Sequence, residues 1–222
     1  MDEPPLNWPG VLEPSLLSGD VITTGHKVAD AADAGDWSAL FDLLDATPAL
    51  SANQWRPGSP EWLTPLHLAA RQDTPPKAIA ALIQRGALRS LRDARGWTAR
   101  DVAIEAGRPT ALISQLAPPP SPLSAELTRR LDANLEWGID GSIRAAQLLE
   151  GHNDHDLRRM LRYPPVEVLH EAAGRSVRFA IPGMPGGVRV TLRCGYLETM
   201  SGSGQIHVIT HRGAVLAKEG FA

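Results

Sequence analysis

Two spacings of apolar residues divide the chain. In the first half they recur at helical intervals: Trp37, Leu40, Phe41 and Leu44 fall on one face, and Ile79-Ala80-Ala81-Leu82-Ile83 and Ala111-Leu112-Ile113 mark two further helices. Residues 124–134 and 143–150 also read as helical. Asn153-Asp154 can cap a short helix through Leu157 to Leu161, which Tyr163-Pro164-Pro165 breaks, and 166–172 adds a turn or two. Over the last fifty residues the period drops to two. Val177, Phe179 and Ile181 alternate with Arg178 and Ala180, while Val188, Val190 and Leu192 alternate with Arg189, Thr191 and Arg193. Pro182-Gly183-Met184-Pro185-Gly186-Gly187 between them has the composition of a hairpin loop. Residues 205–210, a His211-Arg212-Gly213 turn and residues 214–218 give two more strands. A small antiparallel meander with one face on the preceding helices is the expectation.

The first half also repeats. Thr64 to Ala70 read T-P-L-H-L-A-A, and thirty-four positions later Thr98 to Ala103 read T-A-R-D-V-A. Thr64 is placed as an N-cap and Pro65 where a missing N–H is harmless, while Gly86 can take the left-handed conformation that ends the following helix. The run resembles the ankyrin repeat, whose period is about 33 residues and whose signature is T-P-L-H-x-A. Asp93 to Thr98 is similar to that family's D-x-x-G-x-T finger turn, and Thr74-Pro75-Pro76 lengthens the helix–helix turn. The last copy departs from the pattern: Ala99, Arg100 and Asp101 stand where Pro, Leu and His are expected, as suits a terminal repeat. A fainter first copy runs from His26 through Gly35-Asp36 to Leu44, and an extended finger at Ser51 to Glu61 carries Trp55.

The resemblance implies a stack of about three helix pairs over residues 23–117. Around it lie an N-terminal arm (1–22) that covers the first pair or stays mobile, a Pro-rich linker (118–123) and an unrecognised module (124–222). The fold class is α+β. The resemblance makes His67 a structural residue that ties neighbouring turns together, and it turns the finger tips and exposed inner-helix positions toward a partner. Those positions are Leu63, Arg71 and Gln72 in the central copy and Arg92, Ala94, Arg95, Trp97, Glu105 and Ala106 in the last. Trp55, Arg56 and Trp62 adjoin them, and Trp and Arg are enriched in binding hot spots.

Composition narrows the function. Charged residues make up 21% and hydrophobic ones 43% of the 222 residues, ordinary for a globular chain, and no apolar run reaches the length of a membrane span. An acidic, Pro-rich start unlike a signal peptide and the single Cys194 fit the cytoplasm. The net charge of −3 conceals −8 over residues 1–55 and +4 over 56–112. That division either steers a partner or lets an acidic first layer stack on a basic second one.

Chemical motifs are weak. The loop at 182–187 lacks the Lys-Ser/Thr of a P-loop, and Ser201-Gly202-Ser203-Gly204 lacks the strand-to-helix context of a nucleophile elbow. Gly151 to Asp156 holds the densest set of metal-ligating types, yet such clusters usually cap a helix. Cys194 with His207 and His211 lacks an orienting third group, so Cys194 reads as a small apolar filler or a half-buried thiol. Arg89, Arg92, Arg95, Arg100 and Arg108 cluster, but a pI near 6.2 and the lack of a recognisable module argue against nucleic acid. The sequence therefore points to a non-catalytic protein–protein recognition module without cofactor or metal, of the kind that includes inhibitors and immunity proteins. The alternatives are an enzyme or small-molecule site in the C-terminal module and nucleic-acid binding through the Arg-rich copies.

Overall fold

A computed structural model describes residues 4–149 and 154–219, the side chains of 154 and 155 excepted. Most of the cluster at Gly151 to Asp156, considered above for a metal, lies outside the described residues. The protein belongs to the α+β class and divides into two compact units: Leu17–Pro120, and a second built from the chain before Leu17 and after Pro120. No helix among the described residues is long and apolar enough to cross a membrane.

The first unit is a set of helix pairs: α1 (Gly19–Ala34) with α2 (Trp37–Ala46), α3 (Pro65–Arg71) with α4 (Pro76–Gln84), and α5 (Ala99–Glu105) with α6 (Thr110–Gln115). Helix α3 lies between α1 and α5, and α6 packs on both α5 and α4. Their shared core takes Val28 and Ala32 from α1, Leu40 from α2, Leu66, Ala69 and Ala70 from α3, Ile79 and Leu82 from α4, and Val102 and Ala103 from α5. Each fully buried Leu or Ile contributes about 1.5–3 kcal/mol, and the alanines let the inner helices approach closely. Gly86 (φ 84°) ends α4 in the left-handed region, with Ala87 N–H donating to Leu82 O at 3.0 Å. Gly107 (φ 62°) repeats the device after α5, with Arg108 N–H donating to Ala103 O at 2.9 Å.

The two capped inner helices show why the central copy carries histidine. The Nδ1 of His67 lies 2.8 Å from Thr64 Oγ1 and accepts from Thr64 N–H, closing a capping box. Its Nε2 lies 3.1 Å from the Trp97 carbonyl, which can only accept, so Nε2 carries the proton and reaches forward to the next turn. Asp101 closes the same box on Thr98, accepting from its N–H at 2.9 Å and its hydroxyl at 2.7 Å. A carboxylate caps as well as imidazole but has no second arm.

Among its described residues the second unit holds one sheet of six strands in chain order: β1 (Leu6–Trp8), β2 (Ser176–Phe179), β3 (Val188–Leu192), β4 (Leu197–Ser201), β5 (Ile206–Thr210) and β6 (Gly213–Lys218). Strands β2, β3, β5 and β6 fall on the four expected segments of an antiparallel meander, but β4 between them is not among the expected strands, and β1 adds a parallel strand, pairing Leu6 with Val177 and Trp8 with Phe179. The expected N-terminal arm is therefore corrected. Residues 6–8 belong to the sheet, Trp8 is 3% exposed, and its indole N–H donates to Arg162 O at 2.6 Å. A further bond from Arg162 N–H to Gly10 O (2.7 Å) fixes the same segment.

Helix α7 (Ala125–Ala145) joins what the sequence suggests are two helices. Leu131, Leu135, Ile139 and Ile143, all buried, give it one continuous apolar stripe at four-residue spacing, which overrides Gly138 and Gly141. It packs on β5 and β6, and α9 (Val166–Leu169) packs on α7 and β3. Buried Asp140 of α7 accepts both Nη1 and Nη2 of Arg158 (2.7 and 2.8 Å), from α8 (Asp154–Met160), and the Tyr163 hydroxyl (2.5 Å). Burial and then Asp140 push the Tyr163 hydroxyl pKa up, while the same carboxylate raises that of Arg158.

Candidate functional site

In the helical unit the chain between α2 and α3 forms one finger and the chain between α4 and α5 a second. They meet where Ala94 N–H donates to Glu61 O at 3.0 Å. The second finger is organised by Asp93, whose side chain is 1% exposed. It accepts from Arg95 N–H (2.8 Å), Trp97 N–H (2.9 Å) and Arg95 Nε–H (3.1 Å). Burial pushes its pKa up, but these donors outweigh that and hold the carboxyl below its ordinary value. The charge at the base of the finger is thus permanent at neutral pH, and it sets the turn.

Between the fingers and the inner helices lies a cleft of about 360 Å³. Leu63, Arg71, Arg95 and Glu105 line it, from a finger end, α3, the second finger and α5. Ala94 and Ala106 line it too, so six expected partner-facing positions converge on one concavity. The Arg95 guanidinium sits 4.1 Å from the Trp97 ring centroid, 3.1 Å from Asp93 and 3.6 Å from Glu105. Arg71 pairs with Asp33 at 3.3 Å, and its carbonyl accepts from the Arg108 guanidinium. The lining combines cationic edges, carboxylates and small apolar residues, with no hydroxyl or thiol nucleophile among the lining residues.

Other expected site residues have structural work. Trp55 is 1% exposed and is corrected from binding residue to core residue: Ser51 to Trp55 fold inward, with Asn53 Nδ2–H donating to Gly86 O (2.9 Å) and Asn53 Oδ1 accepting from Leu88 N–H (2.8 Å). Arg56 is held by Asp30 (2.7 Å) and Asp33 (3.1 Å), and the Asp30 bond leads in raising its pKa. Gln72 donates to Ala32 O and Asp33 O (3.1 and 3.0 Å), satisfying carbonyls at the end of α1. Arg92 is exposed and donates to Gly96 O (2.9 Å) within its own finger. Trp97 is half-buried against the helical core. Trp62 is half-buried at φ 54°, a region that bulky side chains rarely adopt and that tends to mark functional loops.

The charge division resolves into contacts within this unit. Besides the Asp30 and Asp33 pairs, Arg85 donates to both Asp45 oxygens (3.1 and 2.9 Å), and that bond holds the Asp45 pKa down. The cleft residues not expected to face a partner are Pro60, Glu61, Asp93 and Val102. Glu61 is placed by a backbone bond between fingers, and Val102 belongs to the helix's apolar pattern, so neither carries a local signal.

The candidate catalytic motifs among the described residues lie apart. Cys194 is exposed in the β3–β4 turn, neither the apolar filler nor the half-buried thiol expected, because the strand ends at Leu192. Among the described residues it hydrogen-bonds to neither His207 nor His211, and burial lowers the His207 pKa. The loops at 182–187 and 201–205 each join two strands. No protein-family model matches the chain, and a search of the curated proteins found no match.

Proposed function

We propose that the protein is a non-catalytic recognition module whose helical unit is a short ankyrin-type stack and whose partner is another protein, engaged at the cleft between the fingers and the inner helices. The observation that carries this reading is the convergence of Leu63, Arg71, Arg95 and Glu105 on one concavity from four separate segments. Arginine beside small apolar residues suits the centre of a protein interface, and the bonds that fix Arg95 in place reduce the entropy lost on binding. The finger is preorganised by Asp93, so a partner meets a formed surface. The clustered arginines argue less for nucleic acid than their number suggests, since Arg95 already faces Asp93 and Glu105, and Arg92 and Arg108 donate to backbone carbonyls. A cytoplasmic inhibitor or immunity protein fits this reading, with one exposed thiol and a fixed binding face.

Affinity capture from the native host followed by a cleft variant is the test. Leu63→Asp with Arg71→Glu reverses the chemistry of the cleft without touching a fully buried side chain. The captured protein is expected to be lost while the melting profile is kept. Undiminished capture by that variant excludes the cleft as the binding site.

A further inference from the structure

One face of the sheet brings two like charges together. Arg178 on β2 lies directly opposite Arg189 on β3, and Met200 on β4 lies directly opposite Arg189. Residues directly opposite in an antiparallel pair share a face, so the two arginine side chains leave the sheet on the same side, and like charges placed opposite each other destabilise a sheet. Farther along that face Arg193 and Glu198 neutralise each other at 3.1 Å. Among the described residues no carboxylate pairs with Arg178 or Arg189; Arg178 donates only its Nε–H, to Gly186 O at 3.1 Å.

Both arginines line a concavity of about 490 Å³, within the range of small-molecule sites. Its wall is built from two hairpin loops clamped together. Gly202 N–H donates to Gly187 O at 3.0 Å, and a Cβ at Gly202 would lie 1.7 Å from Pro185 O, so only glycine fits. The loops thus leave backbone where side chains would fill the space. Pro4, Pro5 and Met200 supply an apolar side.

We propose that Arg178 and Arg189 bind the dianionic head of a small molecule, a phosphate monoester, whose carbon portion lies along Met200 and the Pro4–Pro5 segment. A phosphate monoester carries close to two charges at neutral pH on one centre with three acceptor oxygens, so a single head serves both guanidinium forks. A lone carboxylate serves one fork, and a dicarboxylate presents its charges at two separated ends. A phosphorylated polymer would call for a longer basic track, whereas this face continues into the neutral Arg193–Glu198 pair. The site belongs to the sheet unit and is independent of the cleft in the helical one.

Calorimetric titration of the full chain with phenyl phosphate at about 0.15 M salt tests this. Saturable binding is expected, with inorganic phosphate binding more weakly because it lacks the carbon portion, and with succinate failing to compete. Arg178→Gln and Arg189→Gln are each expected to weaken binding about tenfold or more. Arg189→Lys, which keeps the charge and loses the fork, is expected to weaken it as well. Without ligand, Arg189→Gln is expected to melt at or slightly above the parent temperature, since it removes the like-charge contact. Failure to saturate, binding unchanged by all three variants, succinate equal to phenyl phosphate, or binding confined to phosphorylated polymers each overturns the proposal. If a variant does not fold, a phenyl phosphate-dependent rise in melting temperature of the unaltered chain, absent with succinate, serves as the readout.

Discussion

The helical unit and the sheet unit are held together in opposite ways. In the first, each helix meets its neighbour in the chain or the next pair along, and His67 bridges one turn to the next across thirty residues. In the second, β1 pairs with a strand about 170 residues away, and the α7 carboxylate Asp140 gathers Arg158 and Tyr163 from the following segments. Local stacking makes a unit whose parts can be perturbed singly, whereas closure through distant segments makes one whose parts fail together.

That contrast can be broken, most severely at Trp8. Trp8→Ala removes a buried ring and its bond to Arg162 O and is expected to destabilise the sheet unit by about 3–5 kcal/mol. Hydrogen exchange should then accelerate throughout β2 and β3 while α3 and α4 keep their protection. Equal acceleration in both units would show that they unfold as one.

Acid should separate the units next. Burial, partly offset by the Val166 N–H, pushes the Asp132 pKa up to about 6, with Glu167 and Glu136 adding to the rise. Because the folded form then holds a proton that the unfolded form has released, the sheet unit should gain stability as pH falls from about 6 toward 4. The gain is roughly 1–3 kcal/mol, and Asp132→Asn should abolish it. Asp93 and Asp101 behave oppositely: burial raises each, but their hydrogen bonds prevail and the net shift is downward. Their contribution is present above the ordinary aspartate value and is lost as pH falls through the depressed folded ones. Urea unfolding followed by hydrogen exchange at pH 7, 5 and 3 should show the two trends crossing.

Smaller effects sharpen the stacking argument. His67→Ala strands both Thr64 N–H and the Trp97 carbonyl and should destabilise the helical unit by about 1–2 kcal/mol, with faster exchange in the second finger. Asp101→Ala removes a cap alone, about 1 kcal/mol, and its effect should stay within α5. Least of all, Arg85→Ala breaks an exposed pair with Asp45 and should leave the melting midpoint within measurement error.

What could be read from the sequence follows the same division. The helix pairs announce themselves because threonine caps, glycine stops and apolar stripes are local, and the alternation at 177–192 gives β2 and β3 equally well. Leu63, Arg71, Arg95 and Glu105 were reachable through the repeat pattern, since a repeat fixes which side each position takes. Trp55 was not, because its inward turn depends on Asn53 bonding to the chain after α4. Strand β1 left no signal either: three residues among prolines carry no period, and the partner that makes them a strand is remote. The Arg178–Arg189 pairing was hidden for a related reason, as alternation gives the face of each arginine but not the register that sets them opposite.

The position of β1 has a consequence for how the protein is made. At a synthesis rate of about 5–20 residues per second, Leu6–Trp8 leaves the ribosome roughly ten to thirty seconds before Ser176–Phe179. Leu17–Pro120 emerges within that interval and can fold on its own local contacts, while the indole of Trp8 has nowhere to go. The nascent chain therefore carries an unsatisfied apolar segment from the emergence of Leu6–Trp8 until that of Ser176–Phe179. Helpers that shield such segments, or a bulky fusion placed ahead of them, would act on the sheet unit and leave the helical one indifferent.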